Sequence, residues 1–99
     1  MAGPSRTSAD LDPRRARILY RAWHRGMKEM DIILGNFADA HIAGLSDAEL
    51  DVLEDLMSVP DAEAFTWFSG RIPAPEEYDT PLFHQILTFQ TDRAADVTA

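Results

Sequence analysis

The sequence predicts an all-α protein, a small five-helix bundle folded as a single domain. Three observations carry that expectation. Apolar residues recur at three- and four-residue steps through nearly everything between residues 13 and 90. Proline, glycine and capping residues interrupt that pattern about one helix length apart. No segment shows the two-residue alternation of a half-buried strand. At 99 residues the chain has the length of one domain and one modest core.

The first helix opens at Pro13, because proline suits a first helical turn. Ala16, Leu19, Tyr20, Trp23 and Met27 mark one apolar face, and Arg14, Arg17, Arg21 and Arg25 form a second stripe. Gly26 is expected to break this helix by taking the left-handed conformation. A second helix restarts near Lys28, with Met30, Ile33, Leu34, Phe37, Ala38 and His41 in the strongest helical period of the chain. Gly35 inside it costs about 1 kcal/mol relative to alanine, and Gly44 ends it. The third helix has a capping box, Ser46 with Glu49, and a hydrophobic staple, Leu45 with Leu50. Leu50, Leu53 and Met57 give its face, with Val52 and Leu56 alongside, and Pro60 stops it. Asp61 is expected to cap a short fourth helix carrying Phe65, Trp67 and Phe68, closed by Gly70. After the stiff connector Arg71-Ile-Pro-Ala-Pro75, a fifth helix starts between Glu76 and Pro81, with Thr80 as a good cap and Pro75 as an earlier alternative. Leu82, Phe83, Ile86, Leu87 and Phe89 line it. The expected organisation is a disordered leader over 1–12, a helical domain over 13–90 and a flexible tail over 91–99.

Charge narrows the function classes. Seventeen acidic against nine basic side chains give a net charge of −8, which argues against nucleic-acid binding, since phosphate neutralisation needs a basic footprint. The division is uneven: residues 1–28 hold seven of the basic side chains, and residues 29–99 hold fifteen of the acids. No stretch approaches the roughly 18 apolar residues of a membrane span, and the first dozen residues lack the apolar run of a secretory signal. The absence of cysteine removes disulfides, thiolate metal sites and thiol nucleophiles, and fits a reducing cytoplasm.

Motifs for catalysis are lacking. The sequence has no glycine-rich phosphate loop, nucleophile elbow or paired-histidine zinc motif. His24, His41 and His84 sit on different segments without metal-ligand spacing, so no metal site is expected. Glu76 and Glu77 are expected to be dipole partners of a following helix rather than an acid–base pair.

One constellation concentrates chemistry at a single corner: Trp23-His-Arg-Gly-Met-Lys-Glu-Met-Asp31, followed by Ile33, Leu34 and Phe37. Each residue there has a structural reason. Gly26 can end one helix, Arg25 can neutralise its carbonyl end, and Glu29 suits the start of the next. The same corner, with Asp31 as a second acid, also offers a partner close access to backbone and charge-assisted hydrogen bonds of both signs.

The segment W-H-R-G-M-K-E-M-D-I-I-L-G-N-F, Trp23 to Phe37, resembles the RGxxE-containing FAD assembly factors of succinate dehydrogenase. The runs L-S-D-A-E-L at Leu45–Leu50 and D-A-E-A-F-T-W-F at Asp61–Phe68, and the Pro-rich connector, fall in the family's order, so the resemblance covers about residues 14–93. It implies a non-enzymatic, chaperone-like five-helix protein. Such a factor binds the flavoprotein subunit of succinate dehydrogenase and, in some bacteria, that of fumarate reductase. It promotes covalent attachment of FAD to a histidine of that client. The resemblance places client contacts at Arg25, Gly26 and Glu29, with Met27, Lys28, Asp31 and His24 around them. It gives the chain no cofactor of its own, because the FAD belongs to the client, and it implies a cytoplasmic monomer when free. Trp67 and Phe68 match the family's aromatic helix, where buried packing is expected. Two readings from other classes stay open: a flavin transferase acting directly on FAD, with Glu29 or Asp31 moving a proton, and an antitoxin-like regulatory interaction protein.

Overall fold

Three of the five helices, the first, third and fifth, start on short-range side-chain bonds. The carboxylate of Asp12 accepts from the Arg15 backbone N–H (3.3 Å), and Pro13 follows it, launching α1 (Pro13–Trp23). The computed structural model describes residues 10–98. α2 spans Lys28–His41 and runs into a 3-10 turn at Ile42–Gly44. The Ser46–Glu49 capping box is formed in both directions and starts α3 (Asp47–Met57). α4 (Asp61–Phe68) ends at Gly70, whose φ of +80° is the left-handed conformation a side chain would oppose. A second 3-10 turn, Glu76–Tyr78, precedes α5 (Pro81–Thr98), where the Thr80 hydroxyl accepts from the Phe83 N–H at 3.1 Å. Among the described residues there is no strand, and the five-helix all-α architecture is as the sequence predicts.

The core is one cluster drawn from all five helices. Ile18, Phe37, Met30, Leu34, Ile42, Leu50, Leu53, Met57 and Ile86 are its most completely enclosed large side chains. Burying a side chain of this kind is worth about 1.5–3 kcal/mol. α1 packs most extensively on α2, and the 24–27 turn that joins them is the corner singled out in the sequence. Leu45 and Leu50 are both buried, as the staple requires.

Several expectations are corrected. Tyr20 is not on the buried face of α1: it is 64% exposed, and Ile18 and Ala22 join Leu19 and Trp23 in the core instead. α1 ends at Trp23 with His24 as its C-cap, and Gly26 does not adopt a positive φ, so it is not a left-handed terminator. Asp61 makes no capping bond to its own helix. Glu76 and Glu77 belong to the 3-10 turn, and the first turn of α5 carries no acid. α5 continues past residue 90 through Thr98, because no glycine or proline after Pro81 interrupts it. Leu11, placed in the expected leader, packs against the core, and Asp12 caps α1; residues 1–9 of that leader lie outside the described residues.

Gly35 has a packing role that its helix propensity hides. A β-carbon there would lie 2.6 Å from Trp23 Cε3 and 2.8 Å from Cε2. The Trp23 indole therefore lies against bare α2 backbone. Packing fixes that ring, and its buried Nε1–H has no acceptor among the described residues.

Much of the basic N-terminal stretch is neutralised internally. Arg14 pairs with Asp51 and Glu54 on α3, and these two carboxylates hold its guanidinium well above the usual range. Arg15 pairs with Asp12 at 2.8 Å and donates to the carbonyl of Ile42 at 3.0 Å and to that of Leu45, tying down the chain after α2. Its hydrogen bond holds the Asp12 carboxyl below the ordinary carboxylate value.

Candidate functional site

The corner is built from the inside outward. Arg25 follows the C-cap of α1, and its side chain turns into the protein. Its Nε donates to Asp61 Oδ1 at 2.8 Å, and a terminal nitrogen donates to the carbonyl of Met57 at 2.7 Å. The guanidinium thus lies between the carbonyl end of α3, where a cation is favoured, and the first residue of α4. The side chains of Arg25 and Asp61 are only 12% and 17% exposed. Charge-assisted bonds of this kind are among the stronger ones in proteins.

Asp61 has a second task. Its Oδ2 accepts from the Gly26 backbone N–H at 2.7 Å, while Asp31, in the first turn of α2, accepts from the Arg25 N–H. Consecutive backbone donors of the turn are therefore each held by a carboxylate. Orphan N–H groups would otherwise be left in a tight connection between helices. A β-carbon on Gly26 would stand 3.3 Å from Asp61 Oδ2, in a carboxylate already fixed by Arg25 at Oδ1 and by the glycine's own N–H at Oδ2.

The residues singled out in the sequence separate into two sets. Arg25 and Asp31 face inward and shape the turn; Arg25 neutralises the end of α3 rather than that of α1. Met27 packs against the core, and its carbonyl accepts the first helical bonds of α2. His24, Gly26, Lys28 and Glu29 are exposed. Lys28 and Glu29 have no ion pair or hydrogen bond among the described residues and lie in the first turn of α2, where Glu29 is favourably placed against the helix dipole. His24 stacks on Tyr20, with ring centroids 3.9 Å apart, and its Nδ1 lies 2.7 Å from the Tyr20 carbonyl. A carbonyl only accepts, so Nδ1 carries the proton, and in the neutral ring Nε2 is the free acceptor. The residue that sequence reasoning misplaces is Asp61: an acid after Pro60 reads as a local cap, and nothing local signals a partner 36 positions away.

Elsewhere the chemistry is sparse. His84 pairs with Asp79, and His41 packs among Phe37 and Phe89. The described residues contain no group of three or more His, Asp or Glu side chains arranged to hold a metal. Trp67 is buried and stacks on Tyr78, whose hydroxyl is pushed upward in pKa by burial and then by nearby carboxylates. An open hollow of about 580 Å³ lies between α2 and α5, lined by Phe37, His41, Pro81, His84, Phe89 and their neighbours. Among its described lining residues there is no lysine or arginine. No helix of the described residues is long and apolar enough to cross a membrane.

Residues 16–90 match the family model described as the flavinator of succinate dehydrogenase. The chain is 38% identical over 78 residues to the FAD assembly factor SdhE of Acetobacter pasteurianus, covering 79% of this chain and 72% of that protein. It is 36% identical over 78 residues to the mitochondrial succinate dehydrogenase assembly factor 2 of Mycosarcoma maydis, covering 79% of this chain and 33% of that one. The corresponding factor of Dictyostelium discoideum is 33% identical over 72 residues, which are 73% of this chain and 51% of that protein. The chain thus spans about half or less of these two mitochondrial relatives.

Proposed function

The chain belongs to the family of flavinators of succinate dehydrogenase, and from that premise we propose that it is an assembly factor for the flavoprotein subunit of that enzyme. It binds the subunit through the α1–α2 corner and promotes covalent attachment of FAD to a client histidine, without catalytic groups or a cofactor of its own. The observation that carries this reading is the clamped turn. Asp61 and Asp31 hold the backbone of Arg25 and Gly26 from behind, and the outer side presents a glycine and Glu29, which is unpaired among the described residues. Gly26 lets a partner approach the backbone closely, and Glu29 supplies a charged acceptor for it.

Arg25 has a different role from the contact its place in the motif suggests. Its guanidinium is committed to Asp61 and Met57, so it acts on the client by fixing the shape of the turn. A preformed turn loses little freedom on docking, and this favours affinity. The factor promotes flavinylation by binding one client conformation more tightly than others, since a ligand shifts an equilibrium only by that difference. The protein acts in the cytoplasm as a monomer, on the succinate dehydrogenase subunit and, where one is present, on that of fumarate reductase.

The experiment is deletion of the gene, with covalent flavin read as fluorescence on the denatured flavoprotein subunit. Complementation uses the wild-type chain or Glu29→Ala. Flavin on the subunit is expected to fall in the deletion, to return with the wild type and to stay low with Glu29→Ala. Full flavinylation in the deletion strain refutes the proposal, and an unchanged subunit accompanied by a growth-control phenotype points to the regulatory alternative.

A further inference from the structure

The arginine stripe of α1 divides in the folded protein. Its ends are internal: Arg14 lies on Asp51 and Glu54, and Arg25 on Asp61. Its middle members, Arg17 and Arg21, form no ion pair or hydrogen bond among the described residues, although the body of the protein is rich in acids. Tyr20 and His24 lie on the same side of the helix, at three- and four-residue steps from Arg17 and Arg21. Tyr20 is 64% exposed, and its ring is stacked on His24 with an interplanar angle of 16°. The His24 ring is in turn anchored to the Tyr20 carbonyl.

We infer that Arg17, Tyr20, Arg21 and His24 form a cationic–aromatic docking strip for an acidic face of the client flavoprotein, continuing the corner contact along α1; this rests on the reading above. The chemistry of the strip carries the inference. A lone unpaired surface arginine is unremarkable, but two beside a pre-stacked, solvent-facing tyrosine combine the residue types that dominate protein interfaces. The stacking fixes the tyrosine before binding, so little rotamer freedom is lost when a partner covers it. The guanidinium groups are planar donors matched to carboxylates. The strip adjoins Arg25 in the chain through His24, so one partner surface can span both. Two guanidinium groups unpaired among the described residues on one helix face are complementary to carboxylates, so the strip takes an acidic protein face, while the net charge of −8 disfavours nucleic acid.

The test uses the full chain and the purified flavoprotein subunit of succinate dehydrogenase, with association followed by biolayer interferometry at about 50 and about 300 mM salt, conditions that separate screened from unscreened charge. Wild-type affinity is expected to weaken with salt. The double reversal Arg17→Glu/Arg21→Glu is expected to weaken low-salt binding about tenfold or more, chiefly through the on-rate, and to remove most of the salt dependence. Its melting temperature should fall only slightly, because neither side chain has a partner among the described residues and the reversal at Arg21 costs only its helix-dipole contribution in the last turn of α1. Tyr20→Ala is expected to act mainly through a faster off-rate. Should the reversal unfold the protein, Arg17→Gln/Arg21→Gln and the wild-type salt series decide in its place. Wild-type-like binding by the strip variants while Glu29→Ala fails to bind overturns this inference and leaves the proposed function standing. No binding by the wild type overturns the proposed function itself. Self-association by light scattering that the reversal abolishes, with client binding unchanged, makes a second copy the occupant and also overturns the inference.

Discussion

Asp61, the first residue of α4, holds Arg25 and Gly26 with one carboxylate: Oδ1 accepts from the Arg25 guanidinium at 2.8 Å and Oδ2 from the Gly26 N–H at 2.7 Å. The α1–α2 turn and the α3–α4 junction are thereby locked together, and Arg25 closes the unit through the Met57 carbonyl. Two charges this deeply placed stabilise the fold only as a pair, because either one alone is left desolvated.

Asp61→Ala should therefore cost about 2–4 kcal/mol, toward the low end for a broken buried pair because both side chains keep some exposure. For a domain of this size that corresponds to a fall in Tm of about 10–20 °C. Urea unfolding followed by circular dichroism measures it. The double variant Arg25→Ala/Asp61→Ala should lose clearly less than the sum of the two single losses, since they remove the same interaction. Additive losses would mean that the pair is not coupled.

Gly35→Ala tests a sign. In an exposed helix interior this change stabilises by up to about 1 kcal/mol through helix propensity. Here the new β-carbon would stand 2.6 Å from Trp23 Cε3, within an indole that has no free direction in the core. Overpacking of this kind costs about 1–3 kcal/mol, so the net change should be destabilising. Trp23→Leu removes the obstructing ring. In that background Gly35→Ala should cost less, and denaturant midpoints of the four proteins give the coupling directly.

The acid limb of stability should depend on Asp12. Its carboxyl is held below the ordinary value of 3.8, first by the Arg15 side-chain hydrogen bond. A folded-state value below the unfolded one contributes stability that is fully present above the unfolded value and is lost as pH falls through the folded one. Asp12→Asn keeps a side-chain oxygen for the helix cap and removes the charge. The variant should show a shallower loss of stability below about pH 4 than the wild type. Unfolding free energies measured from pH 7 down to about pH 3 check this; identical slopes would remove Asp12 from the titration.

These features differ in how far the sequence discloses them, and the difference is one of range. The Ser46–Glu49 box, Thr80 and the left-handed Gly70 act within one turn, so composition and spacing reveal them. The face of α1 is only half legible. Leu19 and Trp23 fit both the expected set with Tyr20 and the observed one with Ile18 and Ala22, and the choice is made by how α2 packs on the helix. The interior of the corner is not legible at all. The Arg25–Asp61 bond joins residues 36 apart and exists only once α4 has docked, so a residue of the motif that reads as an outward contact becomes an inner support. Gly35 is the same lesson in packing, since its propensity cost is visible in the sequence and the indole against it is not.

Gly26 brings stability and function together. Its φ is not positive, so a side chain there meets no backbone strain, and the glycine is exposed. Among the described residues the one close neighbour of a new β-carbon is Asp61 Oδ2 at 3.3 Å, and this carboxylate must give way by a few tenths of an ångström against its bonds to Arg25 and Gly26. Gly26→Ala should consequently lose about 1 kcal/mol or less, within the range of a modest surface change, and keep most of its client binding. Gly26→Arg should fold with a similarly small loss, because the longer side chain extends into solvent, yet it fills the space through which a partner reaches the turn. Client capture should then fall by about two orders of magnitude or more, as expected when a bulky charge enters the centre of an interface. Circular dichroism melts and capture of the purified flavoprotein subunit separate the two effects. If Gly26→Arg unfolds while Gly26→Ala is as stable as the wild type, the glycine serves the fold and not the docking surface.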